Sequence, residues 1–300
     1  MPGATVAAVQ AAPVFLDRDA TVDKACALIR EAGRAGARLV AFPEVFVPGF
    51  PHWIYLDRPQ ANEHYFVELV REAVDVPGPA TEALGGAARD AGAWVVIGVN
   101  ERSRRSAGEL FNTNLVFGPD GALAGWHRKL MPTYAEKMIW SFGDGSTLRV
   151  YDTPLGRLGT LCCGENTNPL ARFTLIAQGE QIHVANYPAR PAGDAVDLAY
   201  NIQIRAAAHA FEGKCYVVVA GSLLPARESH APHGDPRRLR AARRDPAPGR
   251  LRSVARARRP PRHVPANPRA RWARSTWTAP RRRRCVNSQG DRPGVPIPAT

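Results

Sequence analysis

Three hundred residues, 45% of them hydrophobic, suffice for one large domain or two ordinary ones with a sizeable core. The formal charge of +13 is confined to one end: residues 226–300 hold 20 Arg, no Lys and 4 acidic residues, so the rest of the chain is slightly acidic and is not itself a polycation. Five cysteines, two of them adjacent, form no Cys-x-x-Cys pair and no Cys/His spacing suited to zinc, which speaks against a disulfide framework or a metal site and fits a reducing cytoplasm.

The first residues, Met1 to Thr5, lack a positive segment followed by an apolar run, and the longest apolar stretch, around 215–224, is too short to span a bilayer. A soluble, unprocessed protein is expected. Residues 5–11 read as a buried strand, and Val22, Cys26 and Ile29 then recur at helical spacing up to Gly33 and Gly36. Residues 39–42 form a second short buried strand that delivers Glu44 to its carboxyl end, where open α/β sheets build their sites. Taken alone, Glu44 reads rather as a solvated carboxylate at a strand end. From Pro48 to Pro59 the prolines and aromatic residues suit a rigid loop able to wall a pocket.

Two amphipathic helices follow, at about 61–73 and 80–91, and then a β-branched strand at 94–100. Residues 110–117 and 122–126 flank Gly118-Pro119-Asp120-Gly121 and read as a β-hairpin, with Lys129 just beyond its second strand. Residues 148–152 and 159–163 are two further strands joined across Pro154-Leu155-Gly156, and the second ends in Cys162-Cys163. Asn166, Thr167 and Asn168 are cap formers, and Pro169 suits the first turn of a helix running to Gly179. Cys163 therefore stands where a buried strand gives way to a helix, near that helix's positive end, a position that lowers a thiol's pKa. A free cysteine is also commonly a small buried hydrophobe, the role assigned to Cys162.

A strand at 182–186, a helix at 196–211 stopped by Gly213 and a last strand at 215–220 complete the regular pattern, with His183 and His209 read as satisfied core or interface residues. Beyond Leu224 no periodic apolar face survives. The Arg-Pro-Ala composition there predicts a disordered tail over 225–300.

Three motifs carry a resemblance. Cys163-Gly164-Glu165-Asn166 is similar to the nucleophile motif of the nitrilase branch of the carbon-nitrogen hydrolase superfamily. Phe42-Pro43-Glu44, with Pro48-Gly49-Phe50-Pro51 and Trp53 after it, resembles the family's glutamate segment, and His127-Arg128-Lys129-Leu130-Met131-Pro132-Thr133 resembles its lysine segment. Gly164 stands where many members have Trp. The resemblance covers residues 4–222 and implies a four-layer α-β-β-α sandwich, with Glu44 as general base, Lys129 as electrostatic stabiliser, Cys163 as nucleophile and Glu136 as a second glutamate holding the lysine. It marks Gly164, Trp140, Thr167 and Pro188 as substrate-binding positions and Arg205 as an internally pairing arginine.

The activity implied is hydrolysis of a small organic nitrile to its carboxylic acid and ammonia, with an amide by-product open, no metal or organic cofactor and, with an intact C-terminus, a homo-oligomeric assembly; an altered C-terminus is expected to impair the activity. An amidase or carbamoylase of the same superfamily is the alternative within enzymes. A nucleic-acid-binding role of the basic tail is the alternative outside them, without any specific reading motif. The family continues past the strand at 215–220 with further strands that are unrecognisable here. The body's 16 Arg against 4 Lys point to a GC-rich gene, so the tail reads as a shifted frame of a full-length C-terminus, leaving the 4–222 domain C-terminally incomplete.

Overall fold

The structure, a computed structural model, describes residues 4–55, 58–189 and 197–224, together with the backbone of 250–253. Two sheets face each other. The larger has six strands in the order β5-β4-β3-β2-β1-β9, and the smaller has three in the order β6-β7-β8. In the first, β1 (Thr5–Gln10), β2 (Ala37–Ala41) and β3 (Trp94–Arg102) run parallel, while β4 (Leu110–Phe117) and β5 (Leu123–Arg128) form the antiparallel hairpin read from the turn at 118–121. In the second, β6 (Leu158–Cys162), β7 (Ile182–Tyr187) and β8 (Tyr216–Gly221) are all parallel.

The layering follows from the two-residue period of the strands. Along β2 and β3, Val40, Val95, Ile97 and Val99 point to one side and pack with Val22, Ile29, Leu84 and Ala88 of α1 (Arg18–Arg34) and α3 (Pro79–Ala91). Leu39, Ala41 and Val96 point to the other side and meet Leu158, Ile182, Val184 and Val218 of the second sheet. Behind that sheet lie α4 (Pro169–Ala177) and α5 (Leu198–Gly213), packed on Leu161, Ala185, Tyr187 and Val217. The order is thus α-β-β-α, as the motif resemblance implied. A short helix α2 (Glu63–Arg71) covers the aromatic loop region, packing Tyr65 and Leu69 with Phe50, Trp53 and Trp140.

Two local expectations are corrected. Residues 148–152 are not a strand; only Tyr151 bridges to Leu158, because Leu148 and Val150 turn towards Leu161 and Leu175 instead of extending a ladder. Helix α5 does not stop at Gly213: Gly213 is helical and Lys214 takes the left-handed cap at φ 52°. A Cβ at Gly213 would lie 3.0 Å from Ile176 and 3.2 Å from the Cys215 sulfur, so the glycine serves close packing, and the Lys214 ammonium sits 4.0 Å over the Phe211 ring. The tail expectation lies outside the described residues except at Arg250–Ser253, whose backbone adds a strand, β9, antiparallel to β1.

Candidate active site

Glu44, Lys129 and Cys163 follow β2, β5 and β6 respectively, so the layer architecture itself delivers them to neighbouring strand ends. Glu44 and Lys129 are each 1% exposed, while Cys163 is only half-buried. Lys129 Nζ donates to Glu44 Oε1 at 2.7 Å and to Glu136 Oε2 at 2.7 Å, so one ammonium is shared by two buried carboxylates. Asn112 Nδ2 donates to the same Glu44 oxygen at 2.8 Å, whereas Glu44 Oε2 has no hydrogen-bond partner among the described residues. Glu136 is fixed in turn by the Thr133 N–H, which donates to its Oε2 at 2.8 Å.

Two glycines permit this crowding. A Cβ on Gly98 of β3 would lie 2.4 Å from the Val45 nitrogen and 2.7 Å from the Pro43 carbonyl oxygen; a Cβ on Gly143 would lie 2.4 Å from the Arg128 carbonyl oxygen. Backbone strain marks the same places. Val45 (φ 41°), Tyr134 (φ 48°) and Cys163 (φ 42°) are non-glycine residues in the left-handed region, each within or directly after one of the three motifs read from sequence.

Electrostatics divides the three roles. Burial, with the charge of Glu136 adding to it, raises the Glu44 carboxyl to about 7 against the pull of Lys129 and Asn112. Burial opposes the charge on Lys129, but Glu44 and Glu136 outweigh it and hold the ammonium well above its usual range. The Cys163 thiol is pushed up, first by burial and then by Glu44 and Glu136, with Lys129 and Arg205 opposing. This corrects the lowered thiol pKa expected from a helix N-terminus. Helix α4 begins only at Pro169, after a 3-10 turn over Cys163–Thr167, and Asn168 Oδ1 already accepts from the N–H groups of Leu170 and Ala171. The thiol therefore keeps its proton and needs a base beside it. Cys162 is fully buried, and burial raises its thiol well above the usual range, as befits a packing residue.

The substrate-binding positions fall out unequally. Gly164 is the second residue of the 3-10 turn, where its N–H, like the other first donors of any helix, has no intrahelical partner. Trp140 is buried, donates from Nε1 to Asn100 Oδ1 at 2.7 Å and meets Phe50 edge-on at 5.6 Å. Pro188 is buried directly after β7. Thr167 is exposed and its hydroxyl donates to the Gly164 carbonyl, so it closes the turn. The proline-rich loop does wall a cavity: Trp53, Ile54 and Pro59, with Phe66, Met138 and Ile139, line about 320 Å³ beside the turn carrying Glu136.

Sequence reasoning missed Asn112, which lies inside an ordinary strand, and passed over Glu165 although it is part of the nucleophile motif. Glu165 ties two segments together. Its Oε2 accepts from Cys162 N at 3.0 Å and faces His127 Nε2 at 2.9 Å, and its Oε1 accepts from Leu130 N at 2.8 Å. Burial alone would raise this carboxyl, but His127 and the two amides hold it below its ordinary value. The residue before Cys163 and the residue after Lys129 are thus stapled by one carboxylate. Glu180, His209 and Cys215 also place donor atoms within 4.8 Å of one another. Both Glu180 oxygens, however, already meet imidazole nitrogens at 2.7 Å, which is hydrogen-bond geometry.

Comparison with known proteins agrees with this arrangement. A carbon-nitrogen hydrolase family model matches residues 5–233. The chain is 46% identical over 224 residues to a nitrilase from an unknown prokaryotic organism, Nitrilase 3, covering 73% of this chain and 66% of that one. It is 40% identical to a nitrilase of Paraburkholderia phymatum (79% and 68% covered) and 40% identical to an aliphatic nitrilase of Rhodococcus rhodochrous (71% and 58% covered). The chain thus spans roughly two thirds or less of the length of these relatives. Among solved structures, a double mutant of the amidase from Nesterenkonia sp. AN1 in complex with acrylamide superposes with a TM-score of 0.58 at 19% identity, over 74% of this chain and 78% of that one, which speaks to the fold alone. With Glu44, Lys129 and Cys163 at adjoining strand ends of an α-β-β-α sandwich and these matches across three quarters of its length, the chain belongs to the nitrilase branch of the carbon-nitrogen hydrolase family.

Proposed function

We propose that the chain hydrolyses a small organic nitrile to its carboxylic acid and ammonia. The observation that carries this reading is the buried Glu44–Lys129–Glu136 ion triad, with one Glu44 oxygen left without a partner, beside a protonated thiol at a strained strand end. A nitrile carbon is a weak electrophile, so attack requires a strong nucleophile and protonation of the nitrogen as it gains charge. Glu44, titrating near neutrality, takes the Cys163 proton as sulfur bonds to the nitrile carbon, and delivers it to the nitrogen to give a thioimidate.

Water then adds to that carbon, and Glu44 again moves the proton. Cleavage of the carbon-nitrogen bond releases ammonia and leaves a thioester; a second water releases the acid and restores the thiol. Cleavage of the carbon-sulfur bond before ammonia departs releases an amide instead. Lys129 and the Gly164 N–H stabilise the tetrahedral species, one such donor contributing about 3 kcal/mol. The resident groups suffice for every proton transfer, so the scheme calls on no metal or organic cofactor.

The test is ammonia release from a panel of aliphatic, aromatic and arylacetic nitriles and the corresponding amides, with Cys163→Ala as control. Ammonia from at least one nitrile, lost in the variant, is the expected result. Ammonia from amides alone would replace this reading with the amidase one.

The partner we assign is a second copy of the chain. Leu170 and Phe173 on α4 and Tyr200, Ile204 and Phe211 on α5 are exposed apolar residues on the outer layer. Light scattering on the purified chain gives the assembly state directly. No described helix is long and apolar enough to cross a membrane, and we place the protein in the cytoplasm on the strength of four free cysteines among the described residues. The basic tail is assigned no specific nucleic acid. We further read residues after about 224 as a displaced frame; translating the gene in its other two forward frames should reveal alternating apolar strands, and their absence from both frames would refute this.

A further inference from the structure

Beneath the nucleophile, on the helix-facing side of the smaller sheet, lies a chain of polar side chains that the mechanism does not use. Asn166, in the 3-10 turn that begins at Cys163, donates from Nδ2 to the Leu161 carbonyl at 3.2 Å and to the Cys163 carbonyl at 3.0 Å. Its Oδ1 lies 2.8 Å from Nε2 of His183 on β7. The other His183 nitrogen, Nδ1, lies 2.7 Å from Glu180 Oε1, and Glu180 Oε2 lies 2.7 Å from Nε2 of His209 on α5. The two imidazole rings stack with centroids 4.0 Å apart. All four residues are buried, at 4% exposure or less. Gly159, opposite His183 in the β6–β7 register, makes the room: a Cβ there would sit 2.0 Å from Glu180 Oε1.

Hydrogen-bond polarity fixes the protons. Two carbonyl oxygens face one end of the Asn166 amide, so that end is the NH₂ and the other presents an oxygen to His183. His183 Nε2 must therefore donate. Burial opposes ionisation of Glu180, but His183 and His209 hold its carboxyl below the ordinary range, so it is an acceptor only. His209 donates from Nε2, and its Nδ1 has no hydrogen-bond partner among the described residues. The other titratable groups that act on the cluster are Arg172 from α4, which opposes protonation of His209, and Cys215 from β8, whose sulfur lies 3.8 Å from the His209 carbonyl oxygen.

We propose that Asn166, His183, Glu180 and His209 form a positioning relay for Cys163: His183, seated on Glu180 and donating from Nε2, holds Asn166 in the one amide orientation that clamps the Cys163 carbonyl and keeps its backbone in the left-handed conformation. Without that clamp the residue is free to relax towards ordinary φ, swinging the sulfur away from Glu44 and Lys129. None of the four touches the reacting atoms. The inference rests on Cys163 being the nucleophile of the proposed hydrolysis.

Two measurements on the full chain decide it. The first is independent of turnover: in protein carrying ¹⁵N-labelled histidine, the His183 ring should carry its proton on Nε2 in the parent and in Glu180→Gln alike. A His183 that carries no proton on Nε2 in the parent refutes the relay whatever the activity. The second uses a nitrile that the parent hydrolyses. Asn166→Ala should lower kcat about 100-fold with KM changed by less than about threefold, in protein whose circular dichroism matches the parent. Glu180→Gln should keep kcat within about threefold, because the carboxamide it introduces can donate to Nδ1 of a neutral His183 and still accept from His209. A folded Asn166→Ala with parental kcat, or a Glu180→Gln as crippled as Asn166→Ala, overturns the proposal. Absence of nitrile turnover in the parent would count against the hydrolase reading and leave the histidine measurement to decide the relay.

Discussion

Removing Asn112 isolates the group on which the proposed proton transfers depend. Its Nδ2 donates to Glu44 Oε1 at 2.8 Å, and that bond favours the charged carboxylate. A hydrogen bond to a charged group contributes about 1.5–3 kcal/mol, and one pKa unit corresponds to about 1.4 kcal/mol. Lys129 remains on the same oxygen and absorbs part of the loss, so Asn112→Ala should raise the Glu44 carboxyl from about 7 by about one unit. At pH 7 the fraction of Glu44 able to act as base falls from about one half to about one tenth, an approximately fivefold loss that disappears on raising the pH by two units. The assay is kcat/KM for a hydrolysed nitrile between pH 5 and 10, whose acidic limb reports the free enzyme's base. An acidic limb that stays in place, or a loss independent of pH, would show that Glu44 is not that base.

The same shift carries a stability signature. Because the folded chain binds the Glu44 proton more tightly than its ordinary value of 4.5 implies, this group's contribution to stability is complete below about pH 4.5 and is lost as pH rises through about 7.

Other outcomes follow from single contacts. Lys129→Met should leave Glu44 and Glu136 buried without their shared cation, costing about 3–5 kcal/mol of stability besides turnover; a variant with parental melting and near-parental turnover would remove the lysine from both roles. Cys162→Ala should keep most activity and Cys163→Ala none, and iodoacetamide mapping of the folded chain should label Cys163 ahead of fully buried Cys162; the reverse order would exchange their assignments. Gly159→Ala should displace Glu180 and lower stability by about 3 kcal/mol or more, read from the denaturant midpoint; a change below about 0.5 kcal/mol would mean that Glu180 moves aside freely.

What the sequence made legible were features written in consecutive residues: strand periods in β1 to β5, the 118–121 hairpin turn, and three short motifs whose reactive residues each follow a strand. What stayed hidden depends on partners far along the chain. Asn112 looks like any polar residue in a strand until the fold brings Glu44, 68 positions earlier, to its amide. His183 and His209 looked like isolated core histidines because the carboxylate that joins them, Glu180, lies in the turn before β7. The thiol was misjudged for a related reason: its burial and the approach of two carboxylates are properties of the folded site, and together they outweigh a helix end at Pro169, one turn beyond the thiol.

The central claim, covalent catalysis at Cys163, is tested most directly by acid-quenching the full chain during turnover of a nitrile and mapping the adduct by peptide mass spectrometry. The account predicts the acyl or imidoyl mass of the substrate on the peptide bearing Cys163, absent from Cys163→Ala and strongly diminished in Glu44→Gln, which lacks the base that takes the thiol proton. Turnover with no adduct on any cysteine, or with the adduct on Cys162 or Cys215, would contradict it.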